Sequence, residues 1–256
     1  LVASLVLATL SGGCRPGSTS IPEARADEGA ATSKGVAVVE LFTSEGCSSC
    51  PPADDVLADL ANATDRPVYA LAFHVDYWDD LGWPDRFASH ESTQRQSAYA
   101  RAFGKGGLYT PQMIVGGVEA FTGSDRSRAL TSVADELSRP APVGLAIHPR
   151  WSGSAALAVA YEASAAPPGA VLNVALVERS VSSRVQAGEN AGKTLQHANV
   201  VRAFVTQPLV LTGAVTLAWP TSMPRDGAQL VAYAQQPSAG HGMPVLGATQ
   251  TPLPSP

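Results

Sequence analysis

Cysteine is scarce in this chain. Among 256 residues there are only Cys14, Cys47 and Cys50. With no second cysteine pair, the chain lacks the roughly four ligands that a structural zinc requires. Basic residues are few as well: 17 Lys and Arg against 22 Asp and Glu leave a formal charge of −5, and no polybasic run gathers them. That excludes the electrostatic footprint of a nucleic-acid binder and a basic face for lipid, so proteins or small molecules are the expected partners. No phosphate loop, nucleophile elbow or dinucleotide fingerprint occurs, and the glycine-dense stretch Gly104 to Gly107 has no strand before it. No internal repeat is evident. The unbroken run of apolar and small residues from Leu1 to Leu10 is too short to span a bilayer.

That run is followed by Ser11-Gly12-Gly13-Cys14 and reads as the end of a secretory signal, with no initiating Met or basic segment ahead of it. Small residues before a lone cysteine resemble the lipobox of bacterial lipoproteins, which makes Cys14 a lipidation candidate, although the leucine stands one position too far upstream. Ordinary signal cleavage, leaving Cys14 without a role, is the other reading. Either route leads to an oxidising compartment, where a disulfide persists. The expected location is periplasmic or secreted, with membrane anchoring only through a lipidated Cys14. Arg15 to Lys34, rich in Pro, Gly, Ser, Ala and charge, reads as a flexible tether.

The informative stretch is Val38-Val39-Glu40-Leu41-Phe42-Thr43-Ser44-Glu45-Gly46-Cys47-Ser48-Ser49-Cys50-Pro51-Pro52. A buried strand leads through a short turn into two cysteines, spaced C-x-x-C, that open a helical pattern. Free N–H groups at a helix start favour an anion, and so thiolate over thiol. Cys47 is therefore expected as the attacking sulfur, and Cys50, one turn inside the helix, as the sulfur that resolves a mixed disulfide. Glu45 would oppose the helix terminus by raising the Cys47 pKa.

Around this motif the pattern predicts a strand over Val36 to Phe42, a helix over Pro51 to Asn62 and a second strand over Pro67 to Tyr77, which together form a right-handed parallel unit. Asp54 and Asp55 suit the positive end of that helix. A helical insertion is expected within Ser89 to Phe103. Thr110-Pro111 then enters a hairpin that turns at Gly116-Gly117, and Ser124 caps a helix through Arg139 with Leu130, Val133, Ala134 and Leu137 at helical spacing. From Val143 onward, short apolar runs separated by Ser, Gly and Pro turns predict a mostly β, sandwich-like C-terminal domain. The polar interruption Ser180 to Asn199, with Glu189, Asn190 and His197, reads as a long interstrand loop. The proline-rich end after Gln250 reads as frayed. The expected division is 1–14 signal, 15–34 linker, 35–141 an α/β domain with its helical insertion, and 142–256 the β-rich domain.

Glu40 to Pro52, Phe73-His74-Val75-Asp76-Tyr77-Trp78-Asp79 and Tyr109-Thr110-Pro111-Gln112 together resemble an uncharacterised family of secreted bacterial thioredoxin-like proteins, known as a domain of unknown function. The resemblance implies a thioredoxin-like fold for 35–141, redox roles for Cys47 and Cys50, and a cis-proline role for Pro111. The Ser48-Ser49 pair between the cysteines matches no familiar oxidant or reductant. The resulting expectation is an extracytoplasmic thiol–disulfide oxidoreductase acting on protein or small thiols and served by a redox partner, with no cofactor. Thr110, Pro111, Tyr77 and Trp78 are its candidate substrate-binding residues.

Two other readings compete with this one. A soft ligand set of Cys47, Cys50 and His74 would suit a copper chaperone, although the bland role for His74 is a satisfied core histidine. Alternatively, a permanent bridge would leave a non-catalytic module that binds through its β-domain. A peroxidase is disfavoured, because Thr43 lies four residues before Cys47 and the upstream proline is missing. Asp76, Asp79, Asp80 and Asp85 read as a solvated turn-forming loop, with Asp76 singled out as a carboxylate able to accept a proton near the cysteines.

Overall fold

The computed structural model describes residues 1–4, 34–63, 65–104 and 107–254. The chain forms two units, Leu1–Ala31 and Thr32–Pro256. Most of the expected signal, Cys14 and nearly all of the expected tether lie outside the described residues. No helix among the described residues is long and apolar enough to cross a membrane.

Strand β1 (Ala37–Thr43, AVVELFT) is buried at every position, as its mostly apolar composition favours, with Glu40 taken inside through its pairing with Arg95. Helix α1 (Pro51–Ala61) carries the chain back to β2 (Val68–His74), which lies parallel to β1 from Ala37 opposite Val68 to Thr43 opposite His74. On the other side of β1 runs the antiparallel hairpin β3 (Gln112–Val115) and β4 (Glu119–Thr122). Alternation divides β1 between two cores. Val39 and Leu41 pack with Val56, Leu57 and Leu60 of α1 and with Ala129 and Val133 of α3 (Arg126–Leu137). Val38 and Phe42 pack on the opposite face with Tyr99 of α2 (His90–Ala102).

The C-terminal strands do not form a separate domain, and the chain does not divide at 141/142. β7 (Val171–Arg184), β8 (Thr194–Pro208), β10 (Ala228–Gln235) and β11 (Val245–Pro252) extend the same sheet, giving the order β11-β10-β7-β8-β2-β1-β3-β4. The seam is the parallel bridge between Ala72 and Val200. It is fastened by Asn199, whose φ of 51° lets its amide donate to the Ala70 carbonyl at 2.9 Å. β5 (Leu145–Trp151), β6 (Ala156–Ala163) and β9 (Thr212–Ala218) make a three-stranded sheet that packs through Leu157, Val159 and Leu217 on Leu172, Val174, Leu176 and Leu230 of the large sheet.

Four local expectations change. β2 ends at His74, because Asp76–Leu81 winds into a 3₁₀ turn. Asp125 rather than Ser124 caps α3, accepting from the Arg128 N–H. The inward face of α3 is Ala129, Ser132 and Val133, so Leu130 is left exposed. Ser132 is tolerated inside because its hydroxyl donates to Glu119 and to the Arg128 carbonyl. The expected frayed tail still pairs as far as Pro252, opposite Gln229, where an edge strand tolerates proline.

Candidate functional site

β1 ends at Thr43 and a tight turn carries the chain to α1. The Ser44 hydroxyl accepts from the Gly46 N–H, the Ser44 carbonyl from Cys47, and the Cys47 carbonyl from Cys50. Cys50 is the N-cap of α1 and not a residue one turn inside it, because Pro51 and Pro52 suit the first helical positions, where no N–H is needed. Cys47 and Cys50 are joined in a disulfide with their Cα atoms 5.4 Å apart. Both cysteines are fully buried, whereas Ser48 and Ser49 between them are exposed.

The Thr110–Pro111 peptide bond is cis. A Cβ placed on Gly123 would lie 3.0 Å from the Ala53 Cβ and 3.5 Å from the Pro111 Cβ. Pro111 thus sits alongside the first turn of α1, three residues past Cys50. Trp78 lies against Gly46, its Cβ 3.5 Å from where a Gly46 side chain would begin. Tyr77 is half exposed and donates to Gln96 Oε1, while the Gln96 amide donates to the Tyr109 carbonyl and to Gln112. The Trp78 indole N–H and the Thr110 hydroxyl are buried without hydrogen-bond partners.

Asp76 is not the buried carboxylate of this site. It is partly exposed, and bonds from Thr93 and His90 hold its carboxyl below the ordinary value. Beneath the disulfide turn lie Glu45, Asp54, His74, Asp85 and His197, all buried. His74 Nδ1 meets Asp85 Oδ2 at 2.6 Å, and the same carboxylate accepts from the Glu45 N–H. Far from lying in a solvated loop, Asp85 is sequestered. Burial disfavours its charge, but the His74 charge and hydrogen bond, with the backbone donors, outweigh that and hold it at about 2. Burial likewise opposes ionisation of Glu45, and the His197 ring 3.4 Å away, together with the Trp83 indole N–H donating at 2.7 Å, reverses the balance and lowers it.

Asp54 behaves differently from a simple partner for the helix end. Burial drives it up to about 7 against the pull of His197 and of the Thr43 hydroxyl, which donates to it at 3.0 Å. His197 lies between two carboxylates, 3.4 Å from Glu45 and 3.7 Å from Asp54, and packs edge-on against the His74 ring. His74 Nε2 has no hydrogen-bond partner, so the satisfied core histidine is satisfied at one nitrogen only. Among the described residues no group of three or more His, Cys, Asp or Glu side chains is placed to hold a metal ion.

His197 and its neighbours come from the stretch read as a plain interstrand loop. Instead, β7 and β8 run on as a long antiparallel ribbon, with Arg184 opposite Thr194, and its tip reaches the cysteine turn. The Asn190 amide donates to the Glu45 and Cys47 carbonyls at 2.9 and 3.0 Å, and Glu189 accepts from the Ser48 N–H at 2.9 Å. The signal for these residues was present as a run of polar side chains between two apolar strands, but nothing local says which surface they meet.

No curated protein matches the chain. Among solved structures, it is similar to protein AGR_C_4864 from Agrobacterium tumefaciens at 29% identity, covering 85% of this chain and 94% of that one with a TM-score of 0.63. It is also similar to HBP35 of Porphyromonas gingivalis at 14% identity, covering 86% of this chain and 76% of that one with a TM-score of 0.61, a likeness of fold alone. Residues 38–235, which hold the disulfide, the cis bond and the ribbon tip, match the family described as protein of unknown function DUF1223, and the chain belongs to that family.

Proposed function

We propose that the protein is an extracytoplasmic thiol–disulfide oxidoreductase of thioredoxin-like architecture. The observation that carries this reading is the bonded Cys47–Cys50 pair at the entry to α1, with the cis Thr110–Pro111 bond alongside the same helical turn. The parallel β1 and β2 around α1, with β3 antiparallel to β1, support the architecture. In the reducing direction, the Cys47 thiolate attacks a substrate disulfide, forms a mixed disulfide and expels one substrate thiolate. Cys50, deprotonated, then attacks the Cys47 sulfur, releases the second substrate thiolate and restores the Cys47–Cys50 bond. A dithiol redox partner supplies the two electrons and two protons that reopen it, and the same steps reversed oxidise a dithiol substrate. The Thr110 backbone, with Tyr77 and Trp78, is the docking edge for the substrate segment.

The test is reduction of insulin and oxidation of a dithiol peptide by wild-type, Cys47→Ser and Cys50→Ser proteins. The expected result is loss of turnover in both variants and a trapped mixed disulfide on Cys47 in Cys50→Ser. Unchanged turnover in Cys47→Ser would remove the assigned role.

The complete burial of both cysteines favours a second reading, a static structural bridge. A reduction potential below roughly −300 mV, as inert secreted disulfides have, would support that alternative.

A further inference from the structure

We propose that the tip of the β7–β8 ribbon is a hydrogen-bonded cover over the disulfide, with Asn190 and Glu189 as the residues that latch it and so control access to Cys47. The proposal deepens the oxidoreductase reading and takes the same sulfur pair as its object. Cys47 shows no exposed surface: inside the C-x-x-C turn the Ser49 hydroxyl lies 3.4 Å from its sulfur, and from outside the turn the ribbon tip bonds to the backbone around Cys47. Across 186–193 Asn190 is the only buried residue, and its surface exposure is zero.

The side chain of Asn190 spends both amide hydrogens on the turn, one on the Glu45 carbonyl and one on that of Cys47, while its own oxygen accepts from Lys193 Nζ at 2.8 Å. Next to it, Glu189 occupies the Ser48 N–H. Gly188, at φ 72°, lets the tip close on Trp83, whose Cβ lies 3.1 Å from where a side chain would start. The latch therefore consists of three polar bonds plus one close approach of the Gly188 backbone to the Trp83 Cβ. A segment held that way opens locally, without unfolding the sheet beneath.

A substrate docking at Thr110 and approaching Cys47 must displace these bonds. Lifting the tip also frees the Ser48 N–H and the Cys47 carbonyl, which then offer a donor and an acceptor to the incoming chain. This makes Asn190 and Glu189 positioning residues that act through the turn rather than on the reacting sulfur.

The test measures the second-order rate constant for reduction of the oxidised protein by dithiothreitol, read by maleimide labelling, together with insulin turnover and thermal melting of the same samples. Glu189→Ala is expected to react about 3-fold faster than wild type and Asn190→Ala about 10-fold faster. Asn190→Asp, similar in shape but without a donor, should match Asn190→Ala. Glu189→Gln, which keeps an acceptor for Ser48, should stay within about twofold of wild type. Should Asn190→Ala fail to fold, the exposed Glu189→Ala decides the matter. Overturning results are a Glu189→Ala rate equal to wild type at an unchanged melting midpoint, a wild-type rate in Asn190→Asp, or an equal acceleration in Glu189→Gln, which would mark charge repulsion instead of a latch. Insulin turnover with unaltered dithiothreitol rates sinks the cover alone. Faster opening with no turnover in any sample sinks the oxidoreductase reading and leaves the cover standing.

Discussion

Replacing Asp54 by Asn removes the carboxyl that burial holds at about 7 while keeping its volume and an oxygen to accept from Thr43. In the unfolded chain this group titrates at 3.8, so between 3.8 and about 7 the folded protein binds the extra proton. Its contribution to stability consequently falls as pH rises through that window and is flat above it. A shift of roughly three units at about 1.36 kcal/mol each sets a ceiling near 4 kcal/mol. That is large beside a typical total of about 5–15 kcal/mol. That ceiling is already net of the attraction of His197, 3.7 Å away, which pulls the carboxyl down against burial. Asp54→Asn is therefore expected to be about 1–4 kcal/mol more stable than wild type at pH 8 and to converge with it near pH 4. Urea unfolding of the oxidised proteins at half-unit pH steps reads the difference. Parallel stability curves from pH 4 to 8 would refute the assignment of a costly buried charge to Asp54. Asp85, lowered to about 2, works in the opposite sense: its contribution is present above 3.8 and is lost as pH falls toward 2, outside this window.

Arg95 grips the buried Glu40 through two bonds of 2.8 and 2.9 Å, so Arg95→Ala should cost about 3–5 kcal/mol by stranding the carboxylate. Replacing both residues with leucine should recover much of that loss in urea unfolding, and a cost below about 1 kcal/mol for the single change would contradict it. Gly117 has φ 73°, and a Cβ there would meet the Met243 carbonyl oxygen at 1.9 Å. Gly117→Ala should lower stability by about 2 kcal/mol or more, a fall in melting temperature of roughly 5 °C that calorimetry would detect.

Local patterns were readable where a residue's neighbours in sequence are also its neighbours in space. The run from Val38 to Cys50, the helix α2 within Ser89 to Phe103, and the hairpin turn at Gly116-Gly117 are of that kind. Misreadings fell where a distant group changed what a side chain meets. Ser132 counts as outward by polarity, yet Glu119 satisfies it and turns Leu130 to solvent. Asp85 has the composition of a loop, and His74 draws it inside. The apolar runs after Val143 carry the alternation of a sandwich. Periodicity does not say whether such strands close on themselves or add to an existing sheet edge, and the Ala72–Val200 bridge is a single pairing.

By itself, the sequence determined a disulfide-capable C-x-x-C turn between a buried strand and a helix, because spacing, two prolines and β-branched residues act over a few positions. Only the tertiary structure decided what surrounds that turn. Asn190 reaches Cys47 across 143 residues, and His197 settles between Glu45 and Asp54. Those meetings follow from how far two paired strands extend past the sheet, and that length is set by packing along the whole ribbon, not by the residues at its tip.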